Sequence, residues 1–172
     1  MYKFLSVSRP MIRLLGSGAI LNECLKAHEI LKQFDITSEV WSVTSFNMLR
    51  KDGMEIENVN LKNPSQTPQA SYVEQSFAHE NIPAVAATDY MRAYAEQIRP
   101  FVKGTYFTLG TDGFGRSDSR KKLREYFEVD ANNIAATAAY ALLQDQIIDK
   151  KQVGKIYEKL GINKDKSSPW VQ

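Results

Sequence analysis

Thr108-Leu109-Gly110-Thr111-Asp112-Gly113-Phe114-Gly115-Arg116-Ser117-Asp118-Ser119-Arg120 is the stretch on which the reading of this 172-residue chain turns. Just upstream, Gly104-Thr105-Tyr106-Phe107-Thr108 is a β-branched and aromatic run of strand character. Downstream, Lys121-Lys122-Leu123-Arg124-Glu125-Tyr126-Phe127 has helical spacing. The order is therefore strand, glycine-punctuated loop, helix. Gly110, Gly113 and Gly115 permit positive φ and close backbone approach, and Ser117, Asp118 and Ser119 can each accept a hydrogen bond from free N–H groups at the helix start. In an open α/β sheet, such loops at the carboxyl ends of strands are where ligands and partners are met.

The same grammar runs through the rest of the chain. Met11 to Leu15 is a short apolar run, Gly16-Ser17-Gly18 a turn, and Ile20, Cys24, Ala27, Leu31 and Phe34 form one helical face. Strand, Gly-x-Gly and helix resemble half of a dinucleotide fingerprint. However, Leu21 stands where a third glycine is required, and Glu39, the acidic residue some twenty positions on, opens the next strand instead of closing it. A plain tight β–α turn is the better reading. Glu39 to Val43 is a second strand, followed by a short helix from Phe46 that stops near Asp52-Gly53. Asn58 to Pro68 reads as an irregular surface excursion, Ser71 to Ala78 as a helix, and Ala84 to Thr88 as a third strand whose small residues suit a central position. Asp89 is a helix N-cap candidate, weighed against a catalytic role, ahead of Met91, Tyr94, Ala95 and Ile98 on one helical side. Tyr106 to Leu109 is the fourth strand. Past the glycine loop, Asp130 caps an alanine-rich helix from Ala131 to Gln144, and Asp149 caps a last helix stopped by Gly161. Residues 1–10 read as a linker, 11–163 as one domain and 164–172 as a loose tail.

Four strands alternating with helices define the fold class as α/β: a three-layer domain with a mainly parallel sheet built from right-handed crossovers. The length suits one domain with a sizeable core, and 43% hydrophobic with 24% charged residues is an ordinary globular balance. A net charge of +2, from 22 basic and 20 acidic residues, gives no reason to expect nucleic acid or an anionic membrane as partner. A single cysteine excludes an internal disulfide and a cysteine-based zinc cluster, which fits a reducing cytoplasm. There is no apolar run of membrane-spanning length and no leader pattern at the N-terminus.

Candidate chemistry is sparse. Cys24 and His28 stand four apart on one helix, a spacing that can hold a metal, but Cys24 belongs to the apolar face and the other histidine is His79. A buried thiol and a surface or capping imidazole is the expectation. There is no Gly-x-Ser-x-Gly elbow and no nucleophile with an adjacent base. Asp112 offers one hard oxygen where magnesium needs an octahedral set, so it is expected to be structural, accepting N–H groups within its loop or pairing with Arg116 or Arg120. The alanine-rich helix is apolar on most sides. Either the sheet and the last helix bury it, or Ala136 and Ala139 contact a second copy beside the loop of Asp112, Gly113, Phe114, Gly115, Arg116 and Ser117.

These residues also carry a resemblance. Leu109 to Arg120 resembles a segment near the end of the homodimeric bacterial pyruvate dehydrogenases, the thiamine-diphosphate-dependent decarboxylating components of pyruvate dehydrogenase complexes. It is similar, more distantly, to an Asp-x-Phe-Gly-x-Ser segment in the last domain of transketolases. Leu14 to Gly18, Ser42 to Phe46, Thr88 to Met91 with Ala95 to Gln97, Phe127 to Ala131 and Ile148 to Lys151 agree in the same order. The resemblance spans about Met11 to Pro169 and is specific to the homodimeric type, whose polypeptides are several times longer. It implies a C-terminal domain with about five strands, one of which can be antiparallel. It also implies that thiamine diphosphate and magnesium belong to two preceding domains, with no cofactor expected on this segment. The implied partners are those domains, a second copy and the lipoyl acyltransferase of the complex. The alternative reading is a free-standing α/β module that captures an anion or nucleotide at Gly16-Ser17-Gly18 or Gly113 to Ser117 without catalysis.

Overall fold

The computed structural model describes residues 1–77 and 80–171. Strands β1 (Tyr2–Leu5), β2 (Ile12–Ser17), β3 (Ser38–Val43), β4 (Ala84–Ala87) and β5 (Tyr106–Leu109) form one sheet in the order β1-β3-β2-β4-β5. All neighbours are parallel except β1, which runs antiparallel along β3. The helices are α1 (Leu21–Lys32), α2 (Phe46–Lys62), α3 (Tyr72–Ser76), α4 (Arg92–Glu96), α5 (Arg120–Tyr126), α6 (Ala131–Gln144) and α7 (Lys150–Leu160).

The period of two along the strands sends alternate side chains into two cores. Ile12, Leu14, Val40, Val85 and Ala87 meet α1, α6 and α7, while Leu15, Trp41, Val43, Ala84 and Ala86 meet α2, α3 and α4. Three layers result, as the alternation of elements requires. Buried Ile134 and Leu142 on α6, with no exposed surface, are each worth roughly 1.5–3 kcal/mol relative to exposure. Asp130 and Asp149 cap α6 and α7 by accepting from Asn133 and Gln152 N–H, and Gly161 closes α7 with φ +65°. Among the described residues, no helix is long and apolar enough to cross a membrane.

Four local expectations are corrected. Residues 1–10 are not a linker: Tyr2 pairs with Ser42 and Leu5 with Val40, and Thr37 Oγ1 donates to the Arg9 carbonyl at 2.9 Å. Glycine at position 53 does not stop a helix, because α2 continues to Lys62 and takes in half of the supposed excursion. The residue is there for packing, since a Cβ would lie 2.3 Å from the Phe101 ring. The tail is not loose at Lys166, whose Nζ donates to the Glu125 and Tyr126 carbonyls at 2.8 Å each. Finally, Ala139 is 0% and Ala136 4% exposed beneath α1, α7 and the sheet, so neither has surface to offer a second copy. The end of the Ser71 to Ala78 helix and His79 lie partly or wholly outside the described residues; α3 itself covers Tyr72–Ser76 behind a Ser71 capping box.

Candidate functional site

Connections from β2 to β3 and from β3 to β4 leave in opposite directions along the sheet, so the order reverses between β2 and β4. Outside the carboxyl ends of those two strands an open sheet has its natural crevice. A cavity of about 420 Å³ lies there, between Ala19 after β2, Asp89 after β4, and Thr111 and Gly113 after β5. Leu123 and Phe127 of the α5 region form its apolar wall, and Arg116 and Arg120 stand at its rim.

The loop after β5 is stitched to the loop after β4. Thr88 N–H donates to the Leu109 carbonyl at 3.1 Å, Thr111 N–H to the Tyr90 carbonyl at 2.9 Å, and Thr111 Oγ1 to the Asp89 carbonyl at 3.0 Å. Gly110 makes this approach sterically feasible: a Cβ there would sit 2.6 Å from Arg92 N and 2.7 Å from the Tyr90 carbonyl oxygen. Asp112 Oδ1 then accepts from Arg92 N–H at 3.2 Å, with Arg92 Nε 3.9 Å from Oδ2. The sequence points to N–H groups within the loop itself, or to Arg116 or Arg120, as partners. The structure instead places Arg116 over the Tyr126 ring at 4.6 Å and seats Asp112 on the neighbouring loop. Asp89 does not cap a helix; Met91 occupies the N-cap of α4 and the Asp89 side chain faces the crevice. Gly113 takes φ +102° at the turn that leads to Phe114, which is 86% exposed, while Ser119, not Ser117 or Asp118, caps α5 by accepting from Lys122 N–H.

One residue that the sequence reading passed over organises this corner. Glu23 on α1 is 5% exposed, and its carboxylate accepts from Ala131 N–H at 3.2 Å, Arg124 at 2.9 Å and Lys26 at 2.8 Å. It joins α1 to the start of α6 and to α5, the back wall of the crevice. A carboxylate adjoining Cys24 on a helix otherwise read as apolar was the available signal.

Cys24 is fully buried, and burial, with Glu23 nearby, pushes its thiol up to about 12, so it is no nucleophile. His28 is buried, not on the surface, and its Nδ1 is 2.8 Å from Ser38 Oγ, tying α1 to β3. Leu21 packs its backbone against Gly16, where a Cβ would meet Leu21 Cα at 2.5 Å, so the turn after β2 is a close β–α contact. Among the described residues no group of three or more His, Cys, Asp or Glu is placed to hold a metal. Asp112 is engaged by Arg92 and offers one hard oxygen where magnesium needs an octahedral set.

A doubly wound sheet with an antiparallel edge strand and a glycine-loop crevice at its carboxyl edge defines a class of α/β domain. The chain belongs to the transketolase-like TK C-terminal domain family, whose model matches residues 1–130. Similar proteins include the pyruvate dehydrogenase E1 component of Pseudomonas aeruginosa, 48% identical over 160 residues, and that of Escherichia coli K12, 46% identical over 164. The matches cover 92% and 94% of this chain but only 18% of each relative. In fold, the chain is similar to a Pichia stipitis transketolase solved with sedoheptulose-7-phosphate, at TM-score 0.59 and 15% identity over 86% of this chain and 18% of that one. A Leishmania mexicana transketolase aligns at TM-score 0.57 and 15% identity, over 83% and 18%.

Proposed function

We propose that this chain is the C-terminal domain of a homodimeric pyruvate dehydrogenase E1 polypeptide. In that reading the whole polypeptide works in the cytoplasm, oxidatively decarboxylating pyruvate and acetylating the lipoyl group of its acyltransferase partner. Its thiamine diphosphate and magnesium are held by the preceding domains. The present domain supports the dimer and shapes the active-site entrance through the loop from Asp112 to Ser117. The carrying observation is similarity at 48% identity along 92% of the chain to a protein of which it spans 18%.

Calorimetric titration of the 172-residue chain with thiamine diphosphate and magnesium is expected to give no saturable heat, and a longer polypeptide carrying Gly110 to Arg120 is expected to decarboxylate pyruvate. Micromolar cofactor binding by the short chain would overturn the reading. A free-standing anion-binding module is the second reading, favoured by the crevice with Arg116 and Arg120 at its rim. A native polypeptide of only 172 residues, with saturable phosphate binding lost in Arg120→Ala, would establish it instead.

A further inference from the structure

We propose that the carboxyl edge of the sheet is the face on which the preceding domains of the E1-type polypeptide dock, an inference that rests on the reading of the chain as its C-terminal domain. Large apolar side chains gather at this edge: Met48 after β3 is 61% exposed, Tyr90 and Met91 after β4 are 60% and 56%, Tyr94 is 40%, and Phe114 after β5 is 86%. Exposed apolar patches that are rimmed by polar residues mark interaction surfaces. These residues lie on bound loops. The Tyr90 and Tyr94 rings meet at a tilt with centroids 5.6 Å apart, and the Tyr90 carbonyl and Arg92 N–H are engaged by Thr111 and Asp112, so the aromatics are presented on a preformed platform. A platform already fixed loses little side-chain and loop freedom on docking.

The occupant follows from chain direction. Strand β1 runs antiparallel to β3, and Tyr2 pairs with Ser42, at the carboxyl end of that strand. Polypeptide that precedes Tyr2 in a C-terminal domain therefore arrives at this same edge. At the opposite edge Arg13 and Glu39 are paired in the interior, and Arg13 is bonded to the carbonyls of Phe77, Glu80 and Ile82.

The test uses the longer polypeptide, comparing the double variant Met91→Ser/Phe114→Ser with Leu61→Ser, an 80% exposed residue at the far end of α2. Limited proteolysis ahead of Tyr2 should release this segment at least about ten-fold faster from the double variant, as expected when two buried apolar contacts are lost. Leu61→Ser should behave as the unsubstituted protein, and circular dichroism should show all three equally folded. Equal release rates would overturn the docking face while leaving the C-terminal-domain reading intact. Sedimentation of the 172-residue chain as a dimer dispersed by Met91→Ser/Phe114→Ser would assign the face to a second copy and overturn the proposal. A native polypeptide with nothing ahead of Met1 would overturn both readings.

Discussion

Arg13 on β2 and Glu39 on β3 are register partners in adjacent parallel strands, with Nε 2.8 Å from Oε1 and each side chain 2% exposed. A pair so far from water persists only if the remaining donors and acceptors are satisfied. Here they are: Arg13 also bonds three carbonyls and the Glu80 carboxylate, and Glu39 accepts from Lys3 and Trp41. Arg13→Met leaves those carbonyls without a donor and Glu39 short of a partner, so it should cost about 3–5 kcal/mol in urea unfolding. Adding Glu39→Leu should recover part of that loss. A single-variant loss below about 1 kcal/mol would show the network to be dispensable.

The same network sets an acid limit. Burial pushes the Glu39 carboxyl upward, but hydrogen bonds from Lys3, Trp41 and Arg13 more than offset this and leave it below the usual carboxylate range. A folded pKa below the unfolded one, about 4.3, gives stability that is fully present above the unfolded value and is lost as pH falls through the folded one. Glu96, lowered by its hydrogen bond from Arg99 against partial burial, adds in the same direction. The gap in melting temperature between the unsubstituted protein and Glu39→Gln should therefore narrow as pH drops from 7 into the acid limb. A gap that widens on acidification contradicts this assignment.

Cys24 makes a sharp chemical test. With no exposed surface and a thiol pushed up to about 12, it should resist alkylation by iodoacetamide at pH 8 for as long as the domain is folded. In denaturant it should react completely. Mass spectrometry showing modification of the native protein would mean that α1 leaves the sheet readily.

Gly110 and Gly154 should respond to alanine with opposite signs. At Gly110 the new Cβ would clash with the backbone of Tyr90 and Arg92, which cannot swing aside, so Gly110→Ala should cost on the order of 1–3 kcal/mol and loosen the bond between the two loops. At Gly154, inside α7, nothing lies within 4 Å, and alanine should stabilise by roughly 0.5–1 kcal/mol through helix propensity. Thermal unfolding of both variants checks the pair of signs.

What was legible in the residues was the local grammar. Asp130 and Asp149 as caps, Gly161 as a stop, and Tyr106–Leu109 as a strand are each written within a few positions, where backbone chemistry decides. What was not legible depends on distant partners. The glycine at position 53 looks like a helix stop until Phe101, far along the chain, is seen to need its space. Tyr2–Leu5 shows no useful period because it is an exposed edge strand whose pairing is supplied by β3. Ala136 and Ala139 left two readings open, burial by the sheet and the last helix or contact with a second copy, and their cover by α1, α7 and the sheet favours the first. In the crevice, the loop from Asp112 to Ser117 was recognised by its glycines, but Arg92 as the partner of Asp112 carries no mark in the sequence.

Glu23 gives the last expectation, because it links the hydrophobic layer to the crevice. Its two oxygens accept from the Ala131 backbone, Arg124 and Lys26, and two of these three donors sit on elements more than a hundred residues away. Glu23→Ala would leave the Ala131 N–H at the start of α6 without its acceptor and would strip Arg124 of its counter-charge. The Ala131 N–H is enclosed, while Arg124 is 22% exposed and can turn to water, so the loss should fall near 2–3 kcal/mol rather than at the level of a fully buried pair. Glu23→Gln retains a carbonyl acceptor of the same shape and should cost roughly half as much. The two variants also differ in reach: with alanine, hydrogen exchange should quicken in Arg120–Tyr126 and in the first turn of Ala131–Gln144, ahead of global unfolding. Exchange that accelerates uniformly over the domain, or glutamine that costs as much as alanine, would show that Glu23 contributes only bulk and not the directed bonds described.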